Sequence, residues 1–171
     1  MGVILKLAGE SKKNDLPRKE KDPFLPDKSA GAANPAEEAR VGNGRKILVV
    51  DDNPVVLKSF ELKLKASGFD VATTWNAAEV ASSAEKAGSE IIILDVNFPP
   101  TVGFEWDGFA VVEWLRHFPE LARIPVILIS GEESAKYKEK ALAAGAVAFF
   151  QKPVPYPELL ATILQALGVK S

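Results

Sequence analysis

The sequence predicts a doubly wound α/β domain built on a five-stranded parallel sheet. Three observations carry this expectation. Short apolar runs, rich in β-branched residues, recur at Ile47–Val50, Ile91–Leu94, Val126–Ile129 and Val147–Phe150. Amphipathic stretches of helical period separate them, and Gly or Pro punctuates the junctions. Continuous apolar runs of this length suit strands buried on both faces of a parallel sheet, and strict alternation with helices demands long crossovers between parallel neighbours.

Each element has a local signal. Asn53-Pro54 opens a helix, with Asn as cap and Pro at the first helical position. Val56, Leu57, Phe60 and Leu64 follow at helical spacing, and Gly68 closes the segment. Phe69–Thr73 reads as the second strand. Asn76-Ala77-Ala78-Glu79 resembles a capping box and starts a helix to about Ala87. Ile91–Leu94 is the third strand. The third helix is expected over Gly108–His117, with Phe109, Val112 and Leu115 on one face and Pro119 beyond it. Pro125–Ile129, Glu132–Ala143, Val147–Phe150 and Pro157–Leu167 complete the alternation as strand, helix, strand and helix.

Charge and composition set the organisation. Residues 1–46 hold ten Lys/Arg against seven Asp/Glu, with Pro17, Pro23, Pro26 and Pro35 and no sustained apolar period. Such composition buries too little apolar surface to offset its ordering entropy. Residues 1–45 are therefore expected to be a flexible tail or linker, and residues 46–171 the folded domain. The stretch Gly42–Lys46 precedes the first strand and lacks phosphate-loop spacing, so it reads as linker.

Bulk properties exclude several functions. No cysteine is present and His117 is the only histidine, which removes thiol chemistry and multi-histidine metal sites. The net charge of −2 gives no electrostatic case for nucleic acid or a membrane surface. No apolar run has transmembrane length, and no secretory signal is evident, so a cytoplasmic protein is expected.

The strands stop at chemically distinct residues: Asp51-Asp52, Asp95, Ser130, and Lys152-Pro153. Carboxyl ends of parallel strands line the ligand crevice of such sheets. Carboxylates about 4 Å apart repel by about 4 kcal/mol at an effective dielectric of 20, which a divalent cation cancels. An all-oxygen site of few carboxylates suits Mg²⁺. A carboxylate can accept a phosphoryl group, and a hydroxyl and an ammonium can receive its oxygens.

In order and spacing, Val50-Asp51-Asp52-Asn53, Leu94-Asp95 with Pro99, Asp107-Gly108, Ile129-Ser130-Gly131, Gly145-Ala146 and Lys152-Pro153 resemble the receiver domain of bacterial two-component response regulators. The resemblance covers residues 46–171 and implies the flavodoxin-like (CheY-like) strand order 2-1-3-4-5. It implies phosphorylation of Asp95 by a sensor histidine kinase or a histidine phosphotransfer protein. It also implies Mg²⁺ bound directly by Asp52 and Asp95, by Asp51 mainly through water, and by the Asn97 backbone carbonyl. Ser130 and Lys152 would bind the phosphoryl group, and Ser130 and Phe149 would switch the domain between inactive and active conformations. Lys152-Pro153 is often cis in such domains. Output would pass to a protein effector, with the face of the fourth helix, fifth strand and fifth helix also a candidate homodimer surface.

Pro100–Trp106 forms an insertion of several residues relative to that pattern, and Phe98, Phe104 and Trp106 make this stretch a candidate lid or docking loop. No output domain is expected after the last helix, so a stand-alone signalling module, not an enzyme, leads. Two other readings remain: a degenerate receiver serving as a scaffold, and a haloacid-dehalogenase-like phosphatase. Against the latter, Asn97 stands where that family places its second Asp.

Overall fold

The computed structural model describes residues 40–99, 107–132 and 135–169. Five strands alternate with five helices: β1 Lys46–Val50, α1 Pro54–Ala66, β2 Asp70–Thr74, α2 Val80–Ala87, β3 Ile91–Asp95, α3 Gly108–Leu115, β4 Val126–Ser130, α4 Ala135–Ala143, β5 Ala148–Gln151 and α5 Tyr156–Ala166. The sheet order is β2-β1-β3-β4-β5, with every pairing parallel. Among the described residues, no helix is long and apolar enough to cross a membrane.

Successive strand residues point to opposite faces, which divides the core in two. Ile47, Val49, Ile91, Ile93, Ile127 and Ile129 pack under α1 and α5, where Leu64, Leu159 and Ile163 meet them. Leu48, Val50, Ile92, Leu94, Val126 and Leu128 pack on the other face against Val80, Phe109, Val112, Leu115 and Ala141 of α2, α3 and α4. The helices thus cover both faces, and the polar residues ending the strands are left at one rim.

Local signals set most boundaries. Asn53 caps α1 by accepting from the N–H groups of Val55 (2.9 Å) and Val56 (3.4 Å), ahead of Pro54. Asn76 accepts from Ala78 N–H at 3.0 Å, but its amide bonds the Glu79 side chain at 3.2 Å. A capping box would have Glu79 reach the Asn76 backbone; that N–H instead meets Thr74 Oγ1 at 3.3 Å. The first turn is accordingly a 3₁₀ turn, Ala77–Glu79, before α2.

Most remaining ends fall within one residue of expectation, and three boundaries differ by more. Helix α3 stops at Leu115, not His117, and its end tightens into i→i+3 bonds from His117 N to Trp114 O and Phe118 N to Leu115 O. Pro119 disfavours helical geometry at Phe118. Helix α4 is described over Ala135–Ala143, and Glu132, expected to open it, lies outside the helix with its N–H on Ser130 Oγ at 3.1 Å.

The third difference corrects the linker assignment of Gly42–Arg45. Arg40–Arg45 forms a turn whose Gly42 and Gly44 N–H groups each bond at 2.8 Å to Ser67 O and Gly68 O. Gly42 is buried so closely on Phe69 that a Cβ would lie 2.6 Å from its ring. Packing therefore begins at least six residues before the expected boundary at Lys46. The remainder of the expected tail, residues 1–39, lies outside the described residues.

Arg116 joins two loops, α3–β4 and α4–β5, on the opposite rim from the acids. Its Nη1 donates to Ala122 O at 2.6 Å and Ile124 O at 3.1 Å, and Nη2 donates to Gly145 O at 2.9 Å. Arg116→Ala leaves these carbonyls without their donor and is expected to destabilise the domain by about 2 kcal/mol. Urea unfolding would show this as a lower midpoint at unchanged slope; an unchanged midpoint would make the bonds energetically idle.

Candidate functional site

The strand register brings the expected residues to one edge. Asp95 ends β3 and pairs with Ile129, while Ser130 ends β4 and pairs with Gln151, one residue before Lys152. Asp51 follows β1 directly. The Lys152 N–H bonds Ser130 O at 2.8 Å, and the Lys152–Pro153 peptide is cis. Asp51, Asp95 and Ser130 are 3%, 5% and 0% exposed, whereas Asp52 is exposed.

The charges are close. Lys152 Nζ lies 2.7 Å from Asp51 Oδ2 and 3.3 Å from Asp95 Oδ1. The second approach is an ion pair without hydrogen-bond alignment, so Asp95 Oδ1 is buried with no hydrogen bond among the described residues. Burial pushes the Asp95 carboxyl up to about 6; Asp51 adds to the rise, while Lys152 and the Asn97 N–H oppose it. Burial acts to lower the Lys152 ammonium, but its two carboxylate partners together hold it above its ordinary value. One ammonium thus faces more negative charge than it can neutralise.

Carboxylate oxygens of Asp51, Asp52 and Asp95 all lie within 4.8 Å of one another. Hard oxygen donors, excess negative charge and the unbonded Asp95 Oδ1 fit a divalent cation of the Mg²⁺ type.

Surrounding residues fix the site's shape. Asp51 Oδ1 accepts from Asn53 N–H at 2.9 Å, linking the acid to the cap of α1. Gly108 N–H bonds Val96 O at 2.8 Å, and a Cβ on Gly108 would collide with Asp95 O and lie 2.8 Å from Val96 Cα. Asp107 caps α3 through Ala110 N–H at 2.8 Å and pairs with Lys140 of α4 at 2.9 Å. Ser130 Oγ accepts from the Asn97 side-chain amide at 3.3 Å as well as from Glu132 N–H. Sequence reasoning assigned Asn97 only a backbone role; its contact with Ser130 spans 33 residues and left no local signal.

Other candidates are placed less centrally. Phe149 is half-buried against the core, in β5 opposite Leu128. Phe98 is also half-buried against that core, tucked in and not projecting. Phe104 and Trp106 lie outside the described residues. His117 bonds the Glu113 carbonyl through Nδ1 at 3.0 Å.

A sequence model of the response regulator receiver domain matches residues 47–164. The chain belongs to that family. The polar-differentiation response regulator DivK of Brucella anthropi is 29% identical over 124 residues, covering 72% of this chain and 97% of that protein. Among solved structures, a response regulator from Desulfuromonas acetoxidans is 31% identical with a TM-score of 0.64, covering 74% of this chain and 99% of its own. Chemotaxis protein CheY4 of Vibrio cholerae is 29% identical with a TM-score of 0.63, covering 71% and 98%. As a receiver domain, the chain is a phosphoacceptor signalling module of two-component systems, a family of signalling proteins in general and not of classical enzymes. The family membership leaves no ground for the haloacid-dehalogenase alternative. Receiver domains bind Mg²⁺ through acidic residues and interact with histidine kinases or phosphotransfer proteins and with effectors.

Proposed function

We propose that Asp95 is the phosphoacceptor of this receiver, that Asp51, Asp52, Asp95 and the Asn97 carbonyl hold Mg²⁺, and that Ser130 and Lys152 receive the phosphoryl oxygens. The supporting observation is the buried Asp95 Oδ1, unbonded beside a single ammonium that it shares with Asp51. An Asp95 oxygen attacks the phosphorus of a phosphohistidine or of acetyl phosphate. The new O–P bond forms as the donor's P–N or P–O bond breaks, giving an acyl phosphate and releasing imidazole, which takes a proton from water, or acetate. Bound Mg²⁺ supplies charge neutralisation for the phosphoryl oxygens and the carboxylates. Lys152, 2.7 Å from Asp51 and 3.3 Å from Asp95, would pair with those oxygens.

On this reading, phosphorylation draws Ser130 toward the phosphoryl group and frees space for Phe149, shifting the population between two packings of α4, β5 and α5. That face would then meet a protein effector or a second copy of the chain, in the cytoplasm and without direct contact to nucleic acid. The phosphodonor would be a sensor histidine kinase or phosphotransfer protein, and the domain would span residues 46–171 together with the packed turn at 40–45.

Incubation with Mg²⁺ and acetyl phosphate, followed by intact mass measurement, tests the reading. A labile single-phosphoryl adduct is expected in the wild type and lost in Asp95→Asn. No adduct from acetyl phosphate or phosphoramidate would favour a phosphorylation-independent scaffold, and an undiminished adduct in Asp95→Asn would place the acceptor elsewhere.

A further inference from the structure

Ser130 is the one fully buried polar residue at the acid edge, and its hydrogen bonds are lopsided. A hydroxyl has two acceptor lone pairs and one proton. Both lone pairs of Ser130 Oγ are occupied, one by the Glu132 N–H at 3.1 Å and one by the Asn97 amide at 3.3 Å. Among the described residues, none accepts its proton. Two inward donors fix the rotation of the hydroxyl and leave the O–H as the only group it can offer.

The geometry points to Asn97 as a positioning residue: its side-chain amide holds Ser130 in the donor orientation that an incoming phosphoryl oxygen requires. The inference rests on the reading of Asp95 as phosphoacceptor and deepens it. The Glu132 N–H belongs to the backbone and stays whatever side chain is present. The second lone pair depends on Asn97 alone. Without that amide, the freed lone pair can turn toward the Lys152 ammonium or a water, and the proton turns away from the phosphoryl position. An aspartate at 97 would go further, because an ionised carboxylate offers only acceptors and would take the Ser130 proton itself.

Since Asn97 acts through Ser130, its contribution must vanish when the hydroxyl is absent. A double-mutant cycle isolates this dependence. Asn97→Ala and Asn97→Asp are made in wild-type and Ser130→Ala backgrounds, each checked for an unchanged melting temperature and assayed at a Mg²⁺ concentration shown by titration to saturate it. The readout is the rate of phosphorylation by acetyl phosphate, with affinity for beryllofluoride as a second measure.

In the wild-type background, Asn97→Ala is expected to slow phosphorylation about three- to tenfold, the worth of one oriented hydrogen bond, and Asn97→Asp to slow it more. In the Ser130→Ala background, Asn97→Ala is expected to have no further effect. Equal effects in both backgrounds would show that Asn97 acts by steric or water access, not through Ser130, and would overturn the inference. If Ser130→Ala alone is too slow to measure, the order of the single variants decides: Asn97→Asp reacting as fast as wild type, or faster than Asn97→Ala, overturns it. Loss of the adduct in Asp95→Asn is independent of all these outcomes, so failure here leaves the phosphoacceptor assignment standing.

Discussion

Without divalent metal, Asp95→Asn is expected to stabilise the domain by about 3 kcal/mol at pH 7, although it removes the reactive group. The Asp95 carboxyl is raised from 3.8 to about 6 in the folded protein, first by burial and then by Asp51. A raised carboxyl binds its proton more tightly when folded. Its contribution to stability is therefore full below the unfolded value of 3.8 and is lost as pH rises through 6. Asparagine does not ionise and escapes this loss. The advantage of the variant should grow between pH 4 and pH 7 and then level off. Adding Mg²⁺ should reverse the ranking, since a cation relieves the crowded carboxylates of the wild type and finds fewer ligands in the variant. Thermal melts across this pH range, with EDTA and with Mg²⁺, provide the measurement. A stability difference that does not change with pH would mean that folding does not raise the Asp95 carboxyl.

The second large effect is at Gly108. Gly108→Ala would drive a Cβ into the Asp95 carbonyl oxygen and to 2.8 Å from Val96 Cα, where backbone, not a yielding side chain, is the obstacle. A loss of about 3 kcal/mol is expected, with the start of α3 displaced. Phosphorylation should fall with it, because the displaced backbone is that of Asp95 itself. Gly131→Ala is the matched control: it follows Ser130, yet among the described residues a Cβ there meets nothing within 4 Å. Its stability should change by less than about 1 kcal/mol. Similar melting temperatures for the two variants would remove the close-approach argument for Gly108.

These two sites show what was legible in the sequence. The four strand ends were readable because a buried parallel strand is an apolar run, and its polar stop is visible in the same few residues. The Asn53-Pro54 start of α1 is local in the same sense. The assignment of roles within Asp51-Asp52 was not local: adjacent acids look alike until Lys152, 101 residues away, pairs with Asp51 and leaves Asp52 exposed. Asp107-Gly108 stood out as a motif, but the reason for glycine is the carbonyl of Asp95, which only the crossover brings near. The Arg40–Arg45 turn was misread because its composition is that of a linker. Its order comes from Ser67, Gly68 and Phe69, outside any window that contains it.

That same turn has an architectural consequence. Arg45, just before β1, donates through Nη2 to the Leu167 carbonyl at 3.3 Å, just after α5. The residues flanking β1 and α5 thus meet at one pole, a strand length of about 16 Å from the acids. A module threaded in this way can be spliced into a surface loop of a host protein without prying the host apart.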